Sequence, residues 1–156
     1  MRAESIDLNA DVEALLSDAG LPVSDLSSSP NLKLLGLREN GRLVGVVGIE
    51  AYGAVGLLRS LTVTEARRKS GNGLALVSDA ETWAAEQGVE NLYLLTTTSA
   101  EYFTRLGYKA VPRSEAPSAI AATAQFVGLC PVSSTFMCKV FAADNLLKPT
   151  ALTDRG

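Results

Sequence analysis

Apolar and polar positions alternate through the first part of the chain in a way that predicts antiparallel strands. The runs Leu32 to Leu37 and Arg42 to Ala51 flank Asn40-Gly41, a dipeptide that favours a tight hairpin turn. A third run, Val55 to Val63, follows the Tyr52-Gly53 pair and continues the pattern. The sequence therefore predicts three neighbouring antiparallel strands in this region.

Helical periodicity takes over elsewhere in the chain. One face of a first helix collects Val12, Leu15, Leu16 and Ala19, and Gly20 is placed to end it. The other predicted helices are Leu74 to Gln87, Ala100 to Leu106 and Ser118 to Gly128. The other predicted strands are Glu4 to Leu8, Val89 to Thr96, Tyr108 to Val111 and Ser134 to Phe141. This order predicts an α/β fold with a central mixed, mostly antiparallel sheet flanked by helices.

Length and composition indicate one domain. The chain has 156 residues, of which 47% are apolar, and this is enough for a core that needs neither disulfides nor a metal. No internal repeat interrupts residues 1–141, which we interpret as a single domain. Residues 142–156 show little periodicity and predict a loosely ordered C-terminal tail.

Charge and missing residue types exclude several functions. The chain contains no histidine, so imidazole bases and histidine metal ligands are excluded. A net charge of −3 without a long basic stretch argues against a nucleic-acid partner. Two cysteines are too few for a disulfide framework, and the sequence shows neither a membrane-spanning run nor a signal-peptide pattern. We expect a soluble, cytoplasmic protein without a bound metal or a membrane partner.

The segment Arg68 to Gly73 carries the strongest chemical signal. It connects a predicted strand to a predicted helix, and its two glycines expose backbone N–H groups at the positive end of that helix. Arg67, Arg68 and Lys69 add cationic side chains, a combination that suits a pyrophosphate. The simpler alternative is an ordinary strand-to-helix connection without a ligand.

Two nucleotide-binding patterns do not fit this segment. A Walker-type loop requires the lysine after the second glycine, whereas Lys69 precedes both glycines. A dinucleotide fingerprint requires a third small residue, and Leu76 stands at that place.

Two stretches together resemble the GCN5-related N-acetyltransferases. The run from Val63 to Ala75 is similar to the acetyl-CoA loop of that family, whose Arg/Gln-x-x-Gly-x-Gly/Ala pattern falls on Arg68, Gly71 and Gly73. The run from Ala100 to Tyr108 resembles the helix and Gly-Phe/Tyr turn that end the family's cofactor half. The resemblance implies the family's fold, with acetyl-CoA as cosubstrate.

Within that superfamily the chain is most similar to the arsenic-resistance N-acetyltransferase group. The resemblance rests on four blocks, which are Val44 to Gly53, Leu57 to Leu61, Leu92 to Thr97, and Ala116 to Lys139. It implies transfer of an acetyl group to the primary amine of a small, amino-acid-like acceptor, with an organoarsenical or a glutamate-like compound as the specific guess. Binding of acyl-CoA without turnover and acetylation of protein amines remain alternatives. The resemblance also makes a homodimer the default assembly.

The resemblance also implies the residues that contact the cofactor. In the family a backbone N–H of the strand before the loop holds the thioester carbonyl, which here corresponds to Leu61, Thr62 or Val63. The loop positions carried over from the family are Arg68, Lys69, Ser70, Gly71, Asn72 and Gly73. Glu65 and Asn72 depart from the family pattern, which usually has a proline and an apolar residue there.

Two charged residues in the predicted strands are candidates for chemistry. Glu50 ends an apolar strand, where partial desolvation would suit a general base, although a solvated hairpin-end glutamate is the plainer alternative. Arg59 interrupts an apolar strand and needs an anion nearby. That anion is either the carboxylate of a substrate or Glu50 itself.

The last predicted helix before Gly107 departs from the family at a catalytic position. The family often has a tyrosine five residues before the aromatic of the turn, and Phe103 stands there. Tyr102 is adjacent in sequence but lies about 100° round the helix, so it does not replace that hydroxyl directly. Cys130 and Cys138 are interpreted as buried small hydrophobes and Trp83 as a core residue.

Overall fold

A seven-stranded mixed sheet forms the centre of the part of the chain that the structure describes. The structure is a computed structural model, and it describes residues 3–21, 31–64, 71–124, 126–127 and 134–141. The elements are β1 (Glu4–Ile6), α1 (Ala10–Asp18), β2 (Leu32–Glu39), β3 (Arg42–Tyr52), β4 (Val55–Val63), α2 (Asn72–Glu86), β5 (Asn91–Thr96), α3 (Ala100–Arg105), β6 (Lys109–Ala110), α4 (Ser118–Ala121) and β7 (Thr135–Val140). The predicted α/β class is confirmed.

The strands lie in the order β1-β2-β3-β4-β5-β7-β6. Neighbours pair in antiparallel register except β4 and β5, which are parallel and are connected through α2. Asn40 and Gly41 occupy left-handed backbone angles in the β2–β3 turn, as the hairpin prediction requires. The predicted mixed and mostly antiparallel sheet is therefore confirmed.

Apolar side chains fill both faces of the sheet. One face packs against α2 and α3, with Leu58, Leu76 and Phe103 in the largest buried cluster. On the opposite face Val12 and Leu16 of α1 cover one part, and Ile120 of α4 covers another. Because helices cover both faces, the central strands are apolar on both sides.

A polar contact ties α2 to the C-terminal half of the sheet. Lys139 of β7 donates to Glu81 Oε1 at 3.0 Å and to the Leu106 carbonyl at 2.9 Å. The Tyr108 hydroxyl donates to Glu81 Oε2 at 2.9 Å, and burial together with the nearby carboxylate raises the pKa of Tyr108 far above its ordinary value. The phenol therefore stays protonated and continues to donate, which fixes the turn after α3 against α2.

The predicted helix from Ser118 to Gly128 is interrupted after its first turn. Ala124 is helical again, Phe126 and Val127 are π-helical, and the Val127 N–H donates to the Thr123 carbonyl at 2.9 Å. Gly128 lies outside the described residues. The helix α4 ends at Ala121, and Thr123 accounts for the interruption. Its Oγ1 donates to the Ile120 carbonyl at 2.7 Å and accepts from the Phe126 N–H at 3.3 Å. A hydroxyl that bonds the local backbone in this way competes with the helical hydrogen-bond pattern. The predicted tail at residues 142–156 lies outside the described residues.

Candidate acyl-CoA site

Strands β4 and β5 part in the middle of the sheet. Their parallel pairing joins Val55–Asn91, Gly56–Leu92 and Leu57–Tyr93, and within these two fully described strands it extends no further. Beyond Leu57 the strand β4 remains paired with β3, while β5 continues beside β7. The separation opens a gap in the sheet at the carboxyl ends of two parallel strands, the place where open α/β sheets receive ligands.

A β-bulge lies on β4 beside this gap. Val46 pairs with Thr62 and Gly48 pairs with Arg59, so Ser60 and Leu61 together oppose the single residue Val47. Ser60 is the strained residue of the bulge, because its left-handed φ of 61° is one that non-glycine residues rarely adopt. The bulge also changes which side chains of β4 face α2. Leu58 and Leu61 both pack toward α2, although residues three apart in a regular strand point to opposite faces.

Of the predicted backbone donors, Leu61 is part of the bulge, and Thr62 and Val63 follow it. The Thr64 N–H donates to the Val44 carbonyl in β3 at 2.8 Å. Because N–H groups of successive strand residues point to opposite sides, the Val63 N–H points away from β3 and toward β5. The structure thus places this segment of β4 along the gap.

The first turns of α2 also lie near the end of β4, as shown by a Cβ built on Gly45, which would lie 2.9 Å from Leu76 Cδ1 and 3.5 Å from Val63 Cγ2. Gly71 precedes the helix in a left-handed conformation (φ 80°), and no side chain caps the helix there. The first turn contains no acidic residue that would repel an anion. Asn72 and Gly73 are the first two helical residues, so these three predicted cofactor residues lie together. Arg68, Lys69 and Ser70 lie outside the described residues.

A tyrosine hydroxyl covers this helix end. A Cβ built on Gly73 would lie only 2.7 Å from Tyr102 Oη, so glycine is required for the phenol to reach this place. Desolvation raises the pKa of Tyr102, with Arg105 opposing the shift, and the phenol therefore keeps its proton at neutral pH. The sequence identified Tyr102 only as a neighbour of the family's tyrosine position. It gave no sign that this hydroxyl meets Gly73.

Phe103, at the family's usual tyrosine position, is a core residue here. It is buried and makes edge contacts with Tyr102 and Tyr108, at ring-centroid distances of 5.3 and 5.7 Å. The described part of α3 therefore brings one hydroxyl, that of Tyr102, to the end of α2.

The two charged candidates of the strands pair with each other. Arg59 NH1 donates to Glu50 Oε2 at 2.8 Å, and the two side chains are 0% and 3% exposed. The Tyr52 hydroxyl donates to the other carboxylate oxygen, Oε1. Of the two anions considered for Arg59, the structure shows Glu50. The glutamate is buried and paired, so the alternative of a solvated hairpin end is wrong.

The pair lies on the sheet face opposite α2. Ile49 and Leu58, the strand neighbours of the two charged residues, pack on the α2 side, so Glu50 and Arg59 point to the other. Gly48 makes room for the arginine stem, since a Cβ there would lie 3.2 Å from Arg59 Cγ. The pair therefore occupies the sheet face that α1 and α4 cover, next to the bulge on β4.

Cys138 is a buried thiol in β7, as predicted, whereas Cys130 lies outside the described residues. Burial raises the pKa of the Cys138 thiol, and a hydrogen bond with Tyr93 opposes the shift. We expect this thiol, in a Cys130→Ser variant, to react with an aromatic disulfide reagent about 100-fold more slowly in the folded protein than in guanidinium chloride. Equal rates in the two states would contradict a buried, protonated thiol.

Trp83, predicted as a core residue, is half-buried and packs against the largest apolar cluster.

Metal and membrane features are absent from the described residues. Among them no group of three or more acidic or cysteine side chains is arranged to hold a metal ion. Over the same parts of the chain, no helix combines the length and the apolar character that crossing a bilayer requires.

Comparison with known proteins identifies the class. The fold is similar to N-acetylglutamate synthase of Neisseria gonorrhoeae, solved with coenzyme A and N-acetyl-glutamate, with a TM-score of 0.71 and 18% identity over 90% of this chain and 35% of that one. It is also similar to GCN5 of Tetrahymena, with a TM-score of 0.71 and 14% identity over 90% of this chain and 96% of that one. The protein thus has the α/β fold of the GNAT acetyltransferases.

Sequence comparison adds the family. Residues 7–108 match the model of the acetyltransferase (GNAT) family, and the chain belongs to that family. A curated relative, an uncharacterized N-acetyltransferase of Chlorobaculum tepidum, is 36% identical over 81 residues. That match covers 51% of this chain and 52% of the relative, so the chain spans about half the length of the curated protein it matches.

Proposed function

We propose that the protein transfers an acetyl group from acetyl-CoA to the primary amine of a small, amino-acid-like acceptor. The observation that carries the proposal is the position of the α2 N-terminus, with Gly71 and Gly73, at the end of the strand that parts from β5. A pyrophosphate would contact the helix end, and an extended pantetheine arm would enter the gap between the strands. Arg68, Lys69 and Ser70 are proposed to complete the phosphate site.

The proposed reaction is direct attack of the amine on the thioester. The new C–N bond forms as the C–S bond breaks, one proton leaves the amine, and the departing thiolate takes up a proton. Backbone N–H groups of Leu61, Thr62 or Val63 would stabilise the carbonyl oxygen as charge develops on it. Loss of one such donor typically slows a reaction by about 10²–10³-fold.

Two roles are open to Glu50. As a base it would accept the amine proton on Oε1, the oxygen that the Tyr52 hydroxyl already contacts. As a positioning residue it would act only through Arg59. Arg59 NH1 lies 2.8 Å from Glu50 Oε2. We therefore propose that Arg59 binds the carboxylate of a substrate only in a state in which it has released Glu50.

An amino-acid-like acceptor is supported by the resemblance to the arsenic-resistance group. An enzyme of similar fold was solved with N-acetyl-glutamate, which agrees with such an acceptor, but the similarity is one of fold and not of the acceptor pocket. An organoarsenical or a glutamate-like amine is therefore the first acceptor to test. A cytoplasmic location and a homodimer remain parts of the same proposal.

The second candidate function is an acyl-CoA sensor without turnover. The replacement of the family's tyrosine by the buried Phe103 favours it, because it removes a proton source for the thiolate. Acetylation of protein amines is a third candidate.

Calorimetric titration with acetyl-CoA tests the proposal. We expect the wild-type protein and Gly71→Asn to bind, because asparagine tolerates the left-handed angles of Gly71, and Gly71→Trp to lose binding. Thiol release is then measured with glutamate, aminophosphonates, arsenical amino acids and a lysine peptide. Turnover of a small amine supports the enzyme, turnover of the peptide alone supports protein acetylation, and binding without turnover supports the sensor. Absence of binding would overturn all three.

A further inference from the structure

We propose that Glu50, Arg59 and Ser60 form a positioning chain that holds the β4 bulge in the shape in which its backbone donors meet the acetyl carbonyl. The inference rests on the proposed function. In this positioning role none of the three residues touches a reacting atom. They act through the backbone of the segment that follows them.

The bulge adopts a conformation that its sequence disfavours. Ser60 has a φ of 61°, where a side chain crowds the backbone, and glycine is the usual residue at such a place in a bulge. Such strain persists only where the surroundings impose it. Ser60 is buried, so little of it contacts water.

Arg59 supplies the restraint on Ser60. Its Nε donates to Ser60 Oγ at 3.1 Å, while its NH1 donates to Glu50 Oε2 at 2.8 Å. One planar guanidinium thus connects the strained residue on β4 to a carboxylate on β3. A lysine cannot reproduce this arrangement, because its ammonium group lacks the fixed fork of donors.

The carboxylate is itself held in place. Tyr52 contacts its second oxygen, and the Glu50 side chain is only 3% exposed, so it has little freedom to move. The chain of contacts runs from Tyr52 through Glu50 and Arg59 to Ser60, beside the Leu61 to Val63 segment. A donor to a developing oxyanion must be placed to within a fraction of an ångström, and a misplacement of about 1 Å can cost 100-fold in rate.

Ser60→Gly separates positioning from stability. Glycine removes the hydroxyl contact and also the backbone strain, so the variant should melt at or above the wild-type temperature. We expect its kcat for thiol release to fall about tenfold, with the KM for acetyl-CoA and the Kd for coenzyme A within about twofold of wild type. Wild-type kcat in Ser60→Gly would overturn the inference.

Two further variants test the rest of the chain. Arg59→Lys keeps the charge and should show the same kcat loss, whereas Arg38→Lys, the matched change in the exposed Arg38–Glu4 ion pair, should leave kcat unchanged. The double variant Glu50→Leu with Arg59→Met fills the same space without charges and should fold, bind coenzyme A and turn over slowly at every pH. If the variant lacked the acidic limb of the wild-type pH–rate profile and approached the wild-type rate at low pH, Glu50 would be a base and the positioning role would be wrong.

A readout without turnover keeps the inference separate from the proposed function. In ¹⁵N-labelled wild-type protein, the amide signals of Leu61, Thr62 or Val63 should differ between the acetyl-CoA and coenzyme A complexes, because only the former carries the carbonyl. In Ser60→Gly and Arg59→Lys the difference should shrink. Unchanged differences in both variants would overturn the inference while leaving the enzyme intact. Failure of the wild-type protein to bind either ligand would instead overturn the proposed function.

Discussion

Replacement of Glu50 by alanine is expected to lower the free energy of unfolding by about 3–5 kcal/mol. The loss arises because Arg59, with a fully buried side chain, would keep its charge and lose the Glu50 carboxylate at 2.8 Å. The Tyr52 hydroxyl would lose the same carboxylate as its acceptor. Urea denaturation followed by circular dichroism measures the change, which should appear in the midpoint and not in the slope.

The double variant Glu50→Leu with Arg59→Met is the control for this prediction. It removes both charges at once and leaves apolar groups of similar size, an exchange that is typically neutral or even stabilising for a buried ion pair. We therefore expect it to recover most of the stability that Glu50→Ala loses. A double variant as unstable as the single one would show that the buried pair itself stabilises the sheet, contrary to this account.

Replacement of Gly73 by alanine is expected to weaken acetyl-CoA binding about tenfold or more, which corresponds to about 1.4 kcal/mol or more. The added Cβ would lie 2.7 Å from Tyr102 Oη, so either the phenol or the end of α2 must move. Both lie at the proposed pyrophosphate site. Isothermal titration calorimetry with acetyl-CoA measures the loss.

A double-mutant cycle with Tyr102→Phe tests whether the loss of binding in Gly73→Ala arises from the clash with the Tyr102 hydroxyl. Phenylalanine lacks the hydroxyl that meets Gly73, so the alanine should cost much less in the Tyr102→Phe background than in the wild type. A cost that is the same in both backgrounds would mean that the alanine acts on the helix end directly. Gly88→Ala, at a glycine beyond the other end of α2 with open space around its Cβ, is a control that should leave binding unchanged.

The fold was largely predictable from the sequence because its elements carry strong local signals. Strand β4 was predicted with its observed bounds, Val55–Val63, and the Asn40-Gly41 turn fixed the β2–β3 hairpin. Helix α2 begins two residues before the predicted Leu74, because Gly71 provides the left-handed residue that precedes it. The interruption after α4 has a local cause, since the Thr123 hydroxyl donates to the Ile120 carbonyl and no periodicity in the sequence reveals that contact.

The candidate site was predictable in part. Family motifs selected the residues at the end of α2 and along β4, and the need for a counter-ion suggested the Glu50–Arg59 pair. Neither source identified the contact between Tyr102 and Gly73, which depends on how α3 packs against α2. The bulge left one trace in the sequence, the break in apolar alternation between Leu58 and Leu61, but its strained residue is visible only in three dimensions.

The short pairing of β4 with β5 divides the sheet into two halves that are joined by few backbone hydrogen bonds. Strands β1 to β4 lie on one side and β5 to β7 on the other, and three residue pairs join them. A ligand lodged between the halves would bridge them, so its binding free energy would add to the work of pulling them apart. The stability of the folded protein, and with it the resistance to proteolysis, would then rise with the concentration of acetyl-CoA.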